Sequence, residues 1–142
     1  MPVSSRFAVA IHILALLESG AGEPVTSEWI ARSVNTNPAV IRRILSMLAR
    51  AGITTSRLGT GGGALLARPV SQVTLLEVYR AVEEGGLFAL HNEPPSQACP
   101  IGRHIQTALD GAICAAQRAL EKELDERTVA DVMGELEEVA RG

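Results

Sequence analysis

Apolar residues recur with a helical period through Phe7-Ala-Val-Ala-Ile-His-Ile-Leu-Ala-Leu-Leu17, and the run stops at Gly20-Ala-Gly22. With Ser4 or Ser5 as cap, it predicts a buried first helix over about 5–19. Thr26 or Ser27 then caps a short helix over 28–33, with Glu28 near its positive end, and Asn35-Thr36 turns the chain. Asn37-Pro38 opens a third helix with a capping side chain and a proline at its first position. Ile41, Ile44, Leu45 and Leu48 form its inner stripe and Gly52 ends it. Residues 53–58 have strand character, the glycines of 59–63 turn, and 64–67 pair back. A helix over about 75–84 follows Thr74. After an irregular stretch over 85–100, a long helix over 101–124 carries apolar residues at 101, 105, 108, 109, 112, 113, 116, 119, 120 and 124, and a final helix runs over about 128–139.

The order helix, helix, turn, helix, hairpin predicts a mainly α fold with a small β-hairpin wing, a winged helix-turn-helix. The expected division is a winged helix-turn-helix domain over 1–84, a linker and candidate sensing loop over 85–100, and a dimerisation helix with the C-terminal helix over 101–142. A lone helix of that length with an alanine-rich seam cannot hide its stripe on so small a domain. A second copy is the natural cover. The expected seam is Ile101, Ile105, Ala108, Ala112, Ala116, Leu120 and Leu124.

Composition narrows the function. The 142 residues are 46% hydrophobic, enough for a core, which sets disorder aside. Two cysteines, Cys99 and Cys114, are too few for a disulfide scaffold and fit a reducing cytosol. The first apolar run is too short to span a bilayer, and His12 within it and Glu18 after it speak against a signal peptide. The expectation is a soluble, cytoplasmic protein. Residues 1–80 hold eight arginines against four glutamates, net +4, whereas 81–142 hold five basic residues against twelve acidic ones, net −7. That asymmetry points to an anionic partner at one end.

The outer face of the third helix offers Asn37, Ala39, Val40, Arg42, Arg43, Ser46 and, one turn on, Arg50. Arginine can read guanine edges or hold phosphate, asparagine can read adenine, and small apolar side chains can meet a thymine methyl. Arg57, Thr60 and Gly61 belong to the wing, whose glycines let the backbone approach a groove closely. The other reading of the same features is a solvated face on a winged helix that docks protein or serves metabolic sensing. With four aromatics, Phe7, Trp29, Tyr79 and Phe88, a stacking platform for single strands is not expected. Gly63 is followed by Ala-Leu-Leu-Ala, not Lys-Ser/Thr at a helix start, so the glycine run is no phosphate loop. No nucleophile–base pair or metal-ligand cluster supports an enzyme.

The series Arg6-Phe-Ala-Val-Ala-Ile-His-Ile-Leu, Ile30-Ala-Arg-Ser-Val, the helix over 37–52, Ser56-Arg57 with Gly61-Gly-Gly63, Leu66-Ala-Arg-Pro69 and Val73-Thr-Leu-Leu-Glu-Val-Tyr-Arg-Ala-Val82 resembles the Rrf2 family of bacterial winged helix-turn-helix regulators. That family includes regulators of iron–sulfur assembly, nitric-oxide response and cysteine metabolism. Residues 87–91 and Cys99-Pro-Ile-Gly102 resemble its YwnA-like subgroup. The resemblance implies a homodimer joined through the helix over 101–124, acting on double-stranded DNA, most simply as a repressor. Two recognition helices would enter successive major grooves about one DNA turn apart, ~34 Å, and read an inverted repeat. Where relatives commonly carry Tyr-Leu-Glu-Gln, this chain has Val40-Ile-Arg-Arg43, so the operator does not carry over.

Cluster-binding relatives have three closely spaced cysteines before the long helix; here Cys99 stands alone. No iron–sulfur cluster with three-cysteine ligation, and no other cofactor, is expected. Cys99, ahead of Pro100 at the helix start, is either a redox- or electrophile-sensitive switch or an unreactive cap. His91 and His104 flank it in a loose pattern that fits a metal poorly. His12 reads as a core or interface residue, Trp29 and Tyr79 as core anchors, and Cys114 as buried packing on the seam. The effector and the regulated genes are not legible.

Overall fold

The computed structural model describes residues 4–142 and has the mainly helical architecture with one hairpin that the pattern predicts. Its elements are α1 (Arg6–Ser19), α2 (Ser27–Val34), α3 (Pro38–Arg50), β1 (Thr54–Arg57), β2 (Gly63–Leu66), α4 (Leu75–Val82), α5 (Pro100–Asp125) and α6 (Val129–Arg141), with a 3-10 turn over Val70–Gln72. Contacts divide the chain into two units: residues up to Glu83 together with Leu124–Gly142, and Glu84–Glu123.

Local chemistry sets the starts and stops of the first unit. Thr26 Oγ1 accepts from the Trp29 N–H (3.2 Å) and Asn37 Oδ1 from the Val40 N–H (3.1 Å), each satisfying an otherwise orphaned helix donor. Asn35 closes α2 in the left-handed region, φ 65°, which turns the chain into α3. Thr74 and Glu77 form a capping box at the start of α4. Ser5 stands before α1 without a side-chain cap bond; the Ser4 hydroxyl accepts from the Arg6 N–H instead, at 3.2 Å.

The core of this unit is built on α1. Its Ala10, Ile13, Leu14 and Leu17 meet Ile30 of α2, Ile41, Ile44 and Leu48 of α3, Val78 and Val82 of α4, and Val129 of α6. The hairpin is antiparallel, with Thr54 opposite Leu66 and Arg57 opposite Gly63. Val25 bridges Ala64 through two backbone bonds of 3.0 and 2.8 Å, fixing the wing to the chain entering α2. The C-terminal helix joins the same unit. The Val129 N–H donates to Val73 O and the Leu75 N–H to Arg127 O, both at 2.9 Å. This grouping differs from the expected division, which set α6 with the dimerisation helix; the pairing spans more than fifty residues and leaves no local pattern.

His12, expected in the core or at an interface, lies outside the core, and two expected core anchors are less buried than expected. His12 is exposed on α1, its Nε2 2.9 Å from Ser33 Oγ, because the buried positions 10, 13, 14 and 17 occupy the opposite side of the helix. Trp29 is 47% exposed, since the short α2 buries only Ile30 and Ala31. Tyr79 is half-buried and meets Phe7 edge to face, ring centroids 6.2 Å apart.

In the second unit α5 runs for 26 residues without one buried residue. Cys114, expected in packing, is exposed with Sγ 3.8 Å from Asp110 Oδ1. At 100° per residue it lies about 160° around the helix from Ala112, on the polar side rather than the seam. No described helix is long and apolar enough to cross a membrane.

Candidate nucleic-acid interface

On α3 the division between inside and outside is sharp. Ile41 and Leu48 are fully buried and Ile44 nearly so, while Asn37, Ala39, Val40, Arg42, Arg43, Ser46 and Arg50 are all exposed. Because Asn37 Oδ1 is used as the helix cap, its amide N–H groups are what it has to offer outward. Among the described residues, Arg43, Arg50 and Arg57 make no ion pair. Arg42 does: its Nη2 lies 3.0 Å from Glu28 Oε1, with both side chains more than half exposed. The Glu28 carboxyl is held below its ordinary value by its own backbone N–H and by Arg42.

The wing completes this surface. A cleft of about 450 Å³ between α3 and the hairpin is lined by Arg42, Ser46 and Ala49 on one side and by Thr55, Ser56 and Arg57 on the other. It brings Arg42, Ser46 and Arg57 together, whereas Asn37, Ala39, Val40 and Arg43 stand outside the cleft lining, and Thr60 and Gly61 lie exposed at the wing tip. The cleft is also lined by Ser27 and Leu58, which, like Thr55, Ser56 and the Glu28 partner of Arg42, were not among the interface residues expected from the sequence. Polar residues on a strand leading to Arg57 are a usable signal; a pairing of Glu28 with Arg42, fourteen positions apart, is not.

Two glycines shape the wing by close approach. A Cβ on Gly62 would sit 2.0 Å from the Arg57 carbonyl oxygen, and one on Gly63 2.6 Å from Val25 O. Only glycine permits this fold of the loop.

In the second unit Cys99 is exposed one residue ahead of α5. The backbone N–H groups of Gly102 and Ile101 point at its sulfur and hold the thiol below its ordinary range. His104 Nδ1–H donates to Pro100 O at 3.0 Å, and His91 Nδ1 lies 3.4 Å from Gln106 Nε2. The described residues hold no group of three or more His, Cys, Asp or Glu placed to bind a metal ion.

Residues 3–135 match the profile of the Rrf2 family, described as iron-dependent transcriptional regulators. The chain belongs to this family. It is 50% identical over 135 residues to the candidate HTH-type transcriptional regulator YwnA of Bacillus subtilis, covering 94% of this chain and 98% of that one. A crystal structure described as that of a candidate DNA-binding protein is 47% identical, with TM-score 0.74 over 91% of this chain and 99% of the other. A candidate transcriptional regulator from Lactobacillus plantarum superposes with TM-score 0.80 at 27% identity, covering 94% of this chain and 90% of the other.

Iron in the Rrf2 description has to be tested against the donors in this chain. Cys99 and Cys114 are fifteen residues apart along essentially one helix, ~22 Å. Two thiolates that far apart cannot share a cluster within one chain, and no third cysteine exists. The residues present do not fit the three-cysteine ligation of an iron–sulfur centre.

Proposed function

We propose that this Rrf2-family chain is a cytoplasmic, non-enzymatic, homodimeric transcriptional repressor that binds double-stranded DNA sequence-specifically. The observation that carries the reading is α3: a helix whose apolar stripe is locked in the core presents Asn37, Ala39, Val40, Arg42, Arg43 and Ser46 outward, beside a hairpin bearing Arg57. In this reading the first turns of α3 contact base edges in the major groove. Arg57 with Thr60 and Gly61 meets phosphate or the minor groove.

The bare α5 supports the dimer. A 26-residue amphipathic helix with no fully buried residue leaves Ile101, Ala108 and Ala112 exposed and Ile105, Ala116 and Leu120 only half-buried, and a second copy of the same helix covers them. Ile101, Ile105, Ala108, Ala112, Ala116 and Leu120 are the seam, with the alanines admitting close approach; Leu124, expected there, packs instead against the core of the first unit. Twofold symmetry then sets two α3 helices ~34 Å apart on an inverted repeat. Cys99 is the position at which an oxidant or electrophile acts in this scheme; if Cys99→Ser leaves peroxide-induced DNA release unchanged, that part of the scheme is wrong.

The test is a fluorescence-anisotropy titration with labelled promoter fragments over a range of salt. Affinity should fall steeply as salt rises, and Arg43→Ala should weaken specific binding about ten-fold or more while Arg141→Ala changes little. Salt-insensitive binding, or equal losses from the two variants, would return the protein-docking reading.

A further inference from the structure

Of the arginines on the surface shared by α3 and the wing, one is tied down. Arg42 Nη2 lies 3.0 Å from Oε1 of Glu28, in the first turn of α2. Among the described residues Arg43, Arg50 and Arg57 make no ion pair. The tie joins positions fourteen apart, beside the cleft that Ser27, Arg42 and Arg57 line. The Glu28 carboxylate also accepts from its own backbone N–H, so Arg42 is held by an anchored partner.

Given the DNA-binding reading, on which this rests, we infer that Glu28 is a positioning residue that sets sequence specificity: it makes Arg42 a reader of one guanine instead of a phosphate anchor. The chemistry is that of a neutralised cation. A free arginine gains most from phosphate, which every DNA sequence offers alike. On Arg42 a phosphate oxygen would share the cation with the Glu28 carboxylate, and the two anions repel. A guanine edge carries no net charge and presents two acceptors, O6 and N7. The guanidinium has five N–H donors, and one Nη2–H given to Glu28 leaves one two-donor edge complete for those acceptors. The tie also orients the guanidinium before DNA arrives, so less side-chain freedom is lost on contact.

The test is selection of a randomised double-stranded DNA library on the full chain. Affinities are then measured for the selected site and for every single-pair substitution in it, at physiological ionic strength, where surface charge effects are largely screened. The unmodified protein should prefer one G·C pair in each half-site about ten-fold, and Arg42→Ala should abolish that preference. Glu28→Gln should cut it to about two-fold and leave the preferences at other positions unchanged. Glu28→Asp keeps the charge but is one methylene shorter, and it should lose the same preference. A residue acting by its charge alone would tolerate that change. Guanine preference kept in Glu28→Gln or in Glu28→Asp, or no guanine that depends on Arg42, would overturn the inference and leave the DNA-binding reading standing. A library that yields no preferred sequence would overturn both.

Discussion

At the scale of single residues, two groups carry consequences for pH. The Arg68 side chain, first, and the Thr74 N–H hold the Glu77 carboxyl below its ordinary 4.5. A depressed folded-state pKa stabilises the fold above the unfolded value, and that stabilisation disappears as pH falls through the folded value. Glu77→Gln, whose amide oxygen can still accept from the Thr74 N–H, should therefore lower Tm by about 2 °C near neutral pH, the loss of roughly 0.5 kcal/mol of a solvent-screened ion pair. The gap between the two proteins should shrink below pH 4.5; a gap that stays constant into acid would show that the carboxylate charge is not what matters. Cys99 has the same sign with a different readout. Its rate of alkylation by iodoacetamide, followed by mass spectrometry of its peptide, should reach half-maximum below the ordinary thiol value of 9.0, because Gly102 and Ile101 stabilise the thiolate. A midpoint at 9.0 or above would remove the argument for reactivity there.

The element scale concerns how the helix and the wing share one surface. Glu28 neutralises Arg42 on that surface, so part of the basic face is occupied within the protein itself. Glu28→Gln should release Arg42 and tighten DNA binding about three-fold at low salt, with the gain fading as salt rises. The wing depends on backbone contact that no side chain allows. Gly62→Ala should leave Tm within a few degrees, since the loop is outside the core, yet reduce the salt slope of DNA binding by about one as the Arg57 contact is lost. An unchanged slope would mean that the wing does not touch DNA.

For the molecule as a whole, the proposed dimer rests on the α5 seam. Ala116→Arg places a charge where two helices would need to approach closely. In sedimentation velocity this variant should run as one chain of 15.0 kDa where the unmodified protein runs at twice that mass. Its DNA binding should lose about half the salt slope as well, with one head engaged in place of two. If both proteins sediment alike, α5 is not the joining element.

How much of this was legible in sequence depended on how local each signal is. Helix existence, the Asn37-Pro38 start of α3, the inner stripe at 41, 44 and 48 and the glycine wing all follow from caps, periodicity and turn chemistry within a few residues of one another. The outward set on α3 follows as well, because once the core face is fixed the other face is determined. Only tertiary structure could assign the rest. Short α2 buries two residues and leaves Trp29 out, Glu28 reaches Arg42 across the turn, and the 128–129 segment pairs with Val73 and Thr74 to carry α6 back to the first unit. Leu87 and His91 reach α5 through Gln117 and Gln106, two glutamines with no pattern in common. Periodicity tells a helix which side to bury but not which neighbour buries it, and contacts between distant segments are decided by how the whole chain closes.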